Sequence, residues 1–109
     1  MKIQRITYLS LGTNQGDKLE NLQNAIHLID ESIGGVQKIS AIYKSPSWGF
    51  EGNEFFNICI SVSTDQLPAT LLESLLAIEK ELGRTRTNQK GYQNRNIDID
   101  ILLFEDEII

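Results

Sequence analysis

Two aspartates one residue apart, Asp98 and Asp100, stand in the run Asn94-Arg95-Asn96-Ile97-Asp98-Ile99-Asp100-Ile101-Leu102-Leu103-Phe104. The β-branched isoleucines and the apolar end predict a strand that enters a protein interior. Side chains alternate along a strand, so Ile97, Ile99 and Ile101 point one way and both aspartates the other. Their Cα atoms lie about 6.6 Å apart at roughly 3.3 Å per residue. At an effective dielectric of about 20, carboxylates at that spacing repel by roughly 2.5 kcal/mol before screening. Water or a cation must offset this cost. A hard divalent cation such as Mg²⁺ takes carboxylate oxygens and bridges to phosphates. From the pair alone two readings stay open: a half-exposed strand with both aspartates in water, or a cation site.

The neighbouring charges bear on that choice. Lys80, Arg84, Arg86, Lys90 and Arg95 make up half of the 10 Lys and Arg residues, and three of the arginines fall between positions 84 and 95. A formal net charge of −5 argues against a general nucleic-acid binder. A local basic loop on an acidic chain suits a compact anionic ligand better than a long polyanion; the alternative is a solvated charged loop with no ligand. Guanidinium donors for phosphate oxygens beside carboxylates for a cation are the groups that a metal-bound phosphate needs. Phosphoryl transfer is largely positioning and charge stabilisation, so such a set suffices for it. No Gly-rich P-loop, HExxH, paired-cysteine or GxSxG motif is present.

A second group lies upstream. Trp48 is the single tryptophan, held in the loop Ser45-Pro46-Ser47-Trp48-Gly49-Phe50-Glu51-Gly52-Asn53. An aromatic in a polar, Gly-flanked loop offers a stacking surface for a flat ligand, or folds back to cap the core. Phe55 and Asn57 share a parity on the next strand and offer an aromatic face and an amide able to pair with a heterocycle edge. They read equally well as an edge aromatic and a strand-end amide. His27 falls on the polar side of a helix and reads as a surface residue. Cys59, the single cysteine, excludes an intrachain disulfide and reads as a small core residue.

The elements that must position these groups follow from periodicity. Ile3 to Leu11 reads as a strand, followed by the turn-rich Gly12-Thr13-Asn14-Gln15-Gly16-Asp17. Asp17 with Glu20 three residues on resembles a capping box. Leu19, Leu22, Ile26, Ile29 and Ile33 then mark an amphipathic helix that Gly34-Gly35 stops. Val36 to Lys44 and Phe55 to Ser63 read as strands. Pro68 suits the first turn of a second helix, with Leu71, Leu72, Leu75, Leu76 and Leu82 as its buried stripe and Gly83 as its end. The order β-α-β-β-α-β predicts an α+β, ferredoxin-like fold, an antiparallel sheet with two helices on one face. The 109 residues suit one domain, 40% apolar content suits a soluble protein, and no apolar run approaches a membrane span. With no apolar signal region and one cysteine, a cytoplasmic setting is expected.

These residues together resemble the 6-hydroxymethyl-7,8-dihydropterin pyrophosphokinases of folate synthesis. The most specific part is Gly83-Arg84-Thr85-Arg86 followed by Arg95-Asn96-Ile97-Asp98-Ile99-Asp100-Ile101-Leu102, an Arg, two residues, Asp-apolar-Asp and two apolar residues. Leu11-Gly12-Thr13-Asn14, Tyr43-Lys44-Ser45-Pro46 with Gly49, and Phe55-Phe56-Asn57 support it. The resemblance implies transfer of pyrophosphate from ATP to the pterin hydroxymethyl group, with release of AMP. It implies that Asp98 and Asp100 hold two Mg²⁺ ions, and that Arg84 and Arg95 assist catalysis from a flexible loop. Glu79, Arg86 and Ile101 match nucleotide contacts. Ser45, Pro46, Trp48, Phe55 and Asn57 match the pterin pocket. Gly91-Tyr92-Gln93-Asn94 departs from the family pattern before Arg95, and Trp48 stands where a smaller apolar residue is usual.

Family members continue well past Ile109, with a His, a Tyr and an Arg that complete the nucleotide site. The resemblance therefore implies that residues 1–109 form a single core domain lacking the C-terminal part of the family, weakly active or inactive alone. Exposed apolar surface would then favour self-association. The expected partners are ATP and the dihydropterin, with no nucleic acid and no membrane. Two alternatives have other signatures: a non-catalytic ferredoxin-like module for a small ligand or partner chain, and a single-stranded RNA binder. The acidic charge and the lack of strand-borne aromatic pairs disfavour the second.

Overall fold

A computed structural model describes residues 3–46, 54–83 and 97–104. Seven elements follow one another: β1 (Arg5–Thr13), α1 (Lys18–Ser32), β2 (Gly34–Ile39), β3 (Tyr43–Ser45), β4 (Phe55–Thr64), α2 (Pro68–Gly83) and β5 (Asp98–Phe104). Each helix start has a local cause. The Asp17 carboxylate caps α1 by accepting from the Glu20 N–H at 3.1 Å. Pro68 opens α2, where its missing N–H costs nothing.

The strands form one antiparallel sheet in the order β2-β4-β1-β5, with β3 also paired to β4. The expected second strand is thus split. β2 pairs with the far half of β4 and β3 with its near half. Ser40 bridges the break: its N–H donates to the Cys59 carbonyl, and its hydroxyl oxygen accepts from the Cys59 N–H, both at 2.9 Å. Counting β2 and β3 as one interrupted edge strand gives β-α-β-β-α-β, the ferredoxin-like order expected from the sequence. Gly34 follows α1 where the chain must approach the sheet closely. The cap residue Ile33 is right-handed, and a Cβ at Gly34 would overlap the Ser63 carbonyl, so the glycine permits close entry into the sheet.

Both helices cover one face. Leu22, Ala25, Ile29 and Ile33 from α1 and its cap, with Leu71, Leu75 and Ile78 from α2, pack on Leu9, Leu11, Ile58, Ile60, Val62 and Ile99 of the sheet. Burial of each large aliphatic side chain contributes about 1.5–3 kcal/mol. The stripe on α2 is narrower than its leucines imply, since Leu72 and Leu76 are exposed. Leu19 is exposed as well, and Ile26 only partly buried. Among the described residues no buried side-chain nitrogen or oxygen lacks a partner; Thr7 donates to the Leu103 carbonyl and Thr64 to that of Ile33. His27 is on the surface, as expected, 3.2 Å from Glu31 one turn on. No helix among the described residues is long and apolar enough to cross a membrane.

Candidate active site

The sheet face opposite the helices collects most of the described candidate residues. Ile97 and Ile99 are buried in the core, so the alternation of β5 turns Asp98 and Asp100 to the other face. The register then sets their neighbours. Asp98 stands beside Gly12 on β1, Gly12 beside Asn57 on β4, and Asn57 beside Tyr43 on β3. The next row runs Asp100, Ser10, Cys59. Asp98 and Asn57 are therefore two strands apart, about 9.6 Å between Cα atoms at a strand spacing of roughly 4.8 Å. One residue from each candidate group shares a row, with a glycine between them.

That glycine is required by a close approach. A Cβ at Gly12 would lie 2.9 Å from Asn57 Oδ1 and 3.8 Å from Phe55 Cδ1. Both side chains of β4 therefore lean over β1 toward the carboxylates. Asn57 is oriented from behind, its Nδ2 donating to the Tyr43 carbonyl at 3.2 Å and to Ser45 Oγ at 3.0 Å. With both amide hydrogens engaged, Oδ1 is the atom that Asn57 can present to a ligand, and it is an acceptor. Ser45 pairs with Phe55 on the same face, and Pro46 is exposed just beyond.

Cys59 corrects an expectation. It shares the parity of Asn57, so it lies half-buried on this open face and not in the core. The parity rule, applied from Asn57, would have shown it. Its sulfur is 3.8 Å from the Tyr43 hydroxyl. That hydrogen bond, then burial and the neighbouring thiol's charge, raise the Tyr43 phenol above its ordinary pKa, while a bond with Ser10 opposes them. Gly12, Ser10 and Tyr43 join the site through the register alone, which brings them beside Asp98, Asp100 and Asn57.

Glu79 and Ile101 occupy another place. Ile101 pairs with Leu9 and packs against the core, on the helix-facing side of β5. Glu79, on α2, accepts from the Ile99 N–H at 2.7 Å. Both belong to the seam between α2 and β5 and not to the open face. Arg84, Arg86, Arg95 and Trp48 lie outside the described residues.

The donor set fits Mg²⁺ held with a ligand's phosphates. Asp98 and Asp100 offer hard oxygens on one face, and among the described residues no group of three or more His, Cys, Asp or Glu could cage a metal alone. Mg²⁺ takes one or two carboxylates and completes its octahedron with water and phosphate oxygens.

Residues 8–109 match the family model of 7,8-dihydro-6-hydroxymethylpterin-pyrophosphokinase (HPPK). The chain belongs to the HPPK family. It is 42% identical over 103 residues to the 2-amino-4-hydroxy-6-hydroxymethyldihydropteridine pyrophosphokinase of Aquifex aeolicus, covering 94% of this chain and 62% of that one. The Bacillus subtilis enzyme of that name is 38% identical over 109 residues, covering 98% of this chain and 64% of that one. The chain thus spans less than two thirds of these HPPK relatives' length. Among solved structures, wild-type HPPK-DHPS of Plasmodium falciparum superposes with a TM-score of 0.77 at 18% identity, over 97% of this chain and 30% of that one. That likeness shows the HPPK-type fold.

Proposed function

We propose that this chain binds Mg²⁺-ATP and 6-hydroxymethyl-7,8-dihydropterin, and that the HPPK enzyme it represents transfers pyrophosphate between them in folate biosynthesis, in the cytoplasm. The supporting observation is the row Asp98–Gly12–Asn57 on the open face, which sets a cation-binding carboxylate beside an oriented amide acceptor. The relatives carry the substrate names, and the row supplies a matching chemistry. Oδ1 of Asn57 accepts from the amino and ring N–H groups of a pterin edge, while Phe55 gives its ring an apolar flank. A heterocycle lodged there directs its hydroxymethyl group across β1 toward Asp98. Asp98 and Asp100 are the residues that would hold Mg²⁺, two ions in this proposal. Bound Mg²⁺ neutralises and orients triphosphate oxygens. The hydroxymethyl oxygen forms a bond to the β-phosphorus of ATP as its proton passes to water, the bond from that phosphorus to the α–β bridging oxygen breaks, and AMP leaves with the bonding pair. Arg84 and Arg95 would supply guanidinium donors to the transferred group, Arg86 to the nucleotide. Pro46 and Trp48 would complete the pterin pocket.

Binding measurements test this reading. Titration with the dihydropterin should change the fluorescence of Trp48, the sole tryptophan. Mg²⁺ with α,β-methylene-ATP should bind in a calorimeter, and Asp98→Asn or Asp100→Asn should weaken that binding tenfold or more, about 1.4 kcal/mol. A silent tryptophan would favour the non-catalytic module. Unchanged affinity in both variants would remove the metal assignment.

A further inference from the structure

The seam between α2 and β5 holds a contact that the open-face chemistry does not use. Among the described residues β5 is an edge of the sheet. The outward amides of an edge strand have no strand to pair with and usually meet water. Ile99, between the two aspartates, is an exception: its N–H donates to Glu79 Oε2 at 2.7 Å, from a residue 20 positions upstream. That length is typical of a charge-assisted bond.

The position is a costly one for a carboxylate. Leu71, Leu75 and Glu79 succeed one another at four-residue steps, so Glu79 continues the line of the buried stripe. It is half-buried, where an unpaired carboxylate is penalised. It also lies near the C-terminal end of α2, where the helix dipole disfavours negative charge. The Ile99 N–H offsets both effects.

The consequence falls on the aspartates. Successive amides along a strand face alternate edges, so with Ile99 turned outward to Glu79, the amides of Asp98 and Asp100 turn inward to β1. The bond holds the Asp98–Ile99 peptide plane, which sets the direction of the Asp98 Cα–Cβ bond, and it fixes the backbone at Ile99, one residue before Asp100. It is made just before the bulge at Leu102, where β5 slips by one residue against Tyr8 and Leu9. On the metal side of that irregularity, Glu79 pins the register.

We infer that Glu79 is a positioning residue: it acts through the Ile99 N–H to fix the direction of Asp98 and, through the strand it holds, the spacing to Asp100. The inference rests on the reading of those aspartates as a cation site.

The test uses calorimetric titration of Mg²⁺ with α,β-methylene-ATP, alongside amide exchange at Ile99 by NMR. In the unsubstituted protein the Ile99 amide should exchange slowly. Glu79→Leu keeps side-chain bulk but has no acceptor. It should speed Ile99 exchange at least tenfold and weaken Mg²⁺-nucleotide binding about tenfold, the equivalent of roughly 1.4 kcal/mol. Glu79→Gln keeps a carbonyl acceptor and should recover most of both. A Gln variant as weak as the Leu variant, with Ile99 still protected, would overturn the inference in favour of direct contact by the charge. Wild-type binding in Glu79→Leu with a rapidly exchanging Ile99 would overturn it too. Failure of the unsubstituted protein to bind Mg²⁺-nucleotide would instead overturn the underlying site reading and the inference with it.

Discussion

Gly12→Ala tests the open face most directly. The new Cβ would stand 2.9 Å from Asn57 Oδ1, closer than packed atoms tolerate, so the Asn57 side chain must move. Moving it disturbs the bonds from Nδ2 to the Tyr43 carbonyl and Ser45 Oγ. At a net of about 0.5–1.5 kcal/mol each, their loss costs roughly 1–3 kcal/mol. Alanine restricts the unfolded chain and returns about 0.4–1 kcal/mol. A net destabilisation of roughly 0.5–2 kcal/mol is expected, a fall in Tm of about 3–12 °C for a domain of this size. Ligand binding should suffer separately, because the displaced atom is the acceptor aimed along the row. Affinity for the dihydropterin, followed by Trp48 fluorescence, should fall about tenfold or more. The decisive measurement is a double-mutant cycle with Asn57→Ala. Without the amide the added methyl meets little, so Gly12→Ala in that background should be neutral or slightly stabilising. The cycle should give a coupling of about 1 kcal/mol or more. Strictly additive effects, or pterin affinity unchanged in Gly12→Ala, would refute the placement of Asn57 over β1.

Further expectations concern the scaffold and the phenol. Asp17→Ala removes the cap of α1 and should cost about 1 kcal/mol in urea unfolding; an unchanged midpoint would show that α1 is set by packing alone. Leu75→Ala empties a position 1% exposed beneath the sheet and should cost about 2–5 kcal/mol by the same measurement. Tyr43 should titrate above ordinary tyrosine in an ultraviolet pH series, and Cys59→Ala should bring it down, because the thiol is the main cause of its rise. The folded protein holds that proton more tightly, so the associated stability is complete below the ordinary phenol range. It is lost as pH climbs through the raised value. A Tyr43 titration indifferent to Cys59→Ala would remove the thiol as the cause.

What the chain alone determined is what depends on near neighbours. The cap at Asp17, the bounds of α2 from Pro68 to Gly83, and the shared face of Asp98 and Asp100 are set by spacings of two to four residues. The order of elements then restricted the topology, because a βαββαβ chain has few ways to cover one sheet face with two helices. Tertiary structure decided whatever rests on register between distant strands. Asn57, Gly12 and Asp98 are far apart in the chain and share a row only because β4, β1 and β5 pair as they do. The same register put Cys59 on the open face despite its apolar neighbours, because a period of two assigns faces by position and not by residue type. Helix packing likewise buries only Leu71, Leu75 and Ile78 of α2 and leaves Leu72 and Leu76 exposed. The contact from Glu79 to Ile99 belongs to the same class, for nothing in a sequence separation of 20 residues announces that one carboxylate holds the peptide between two others.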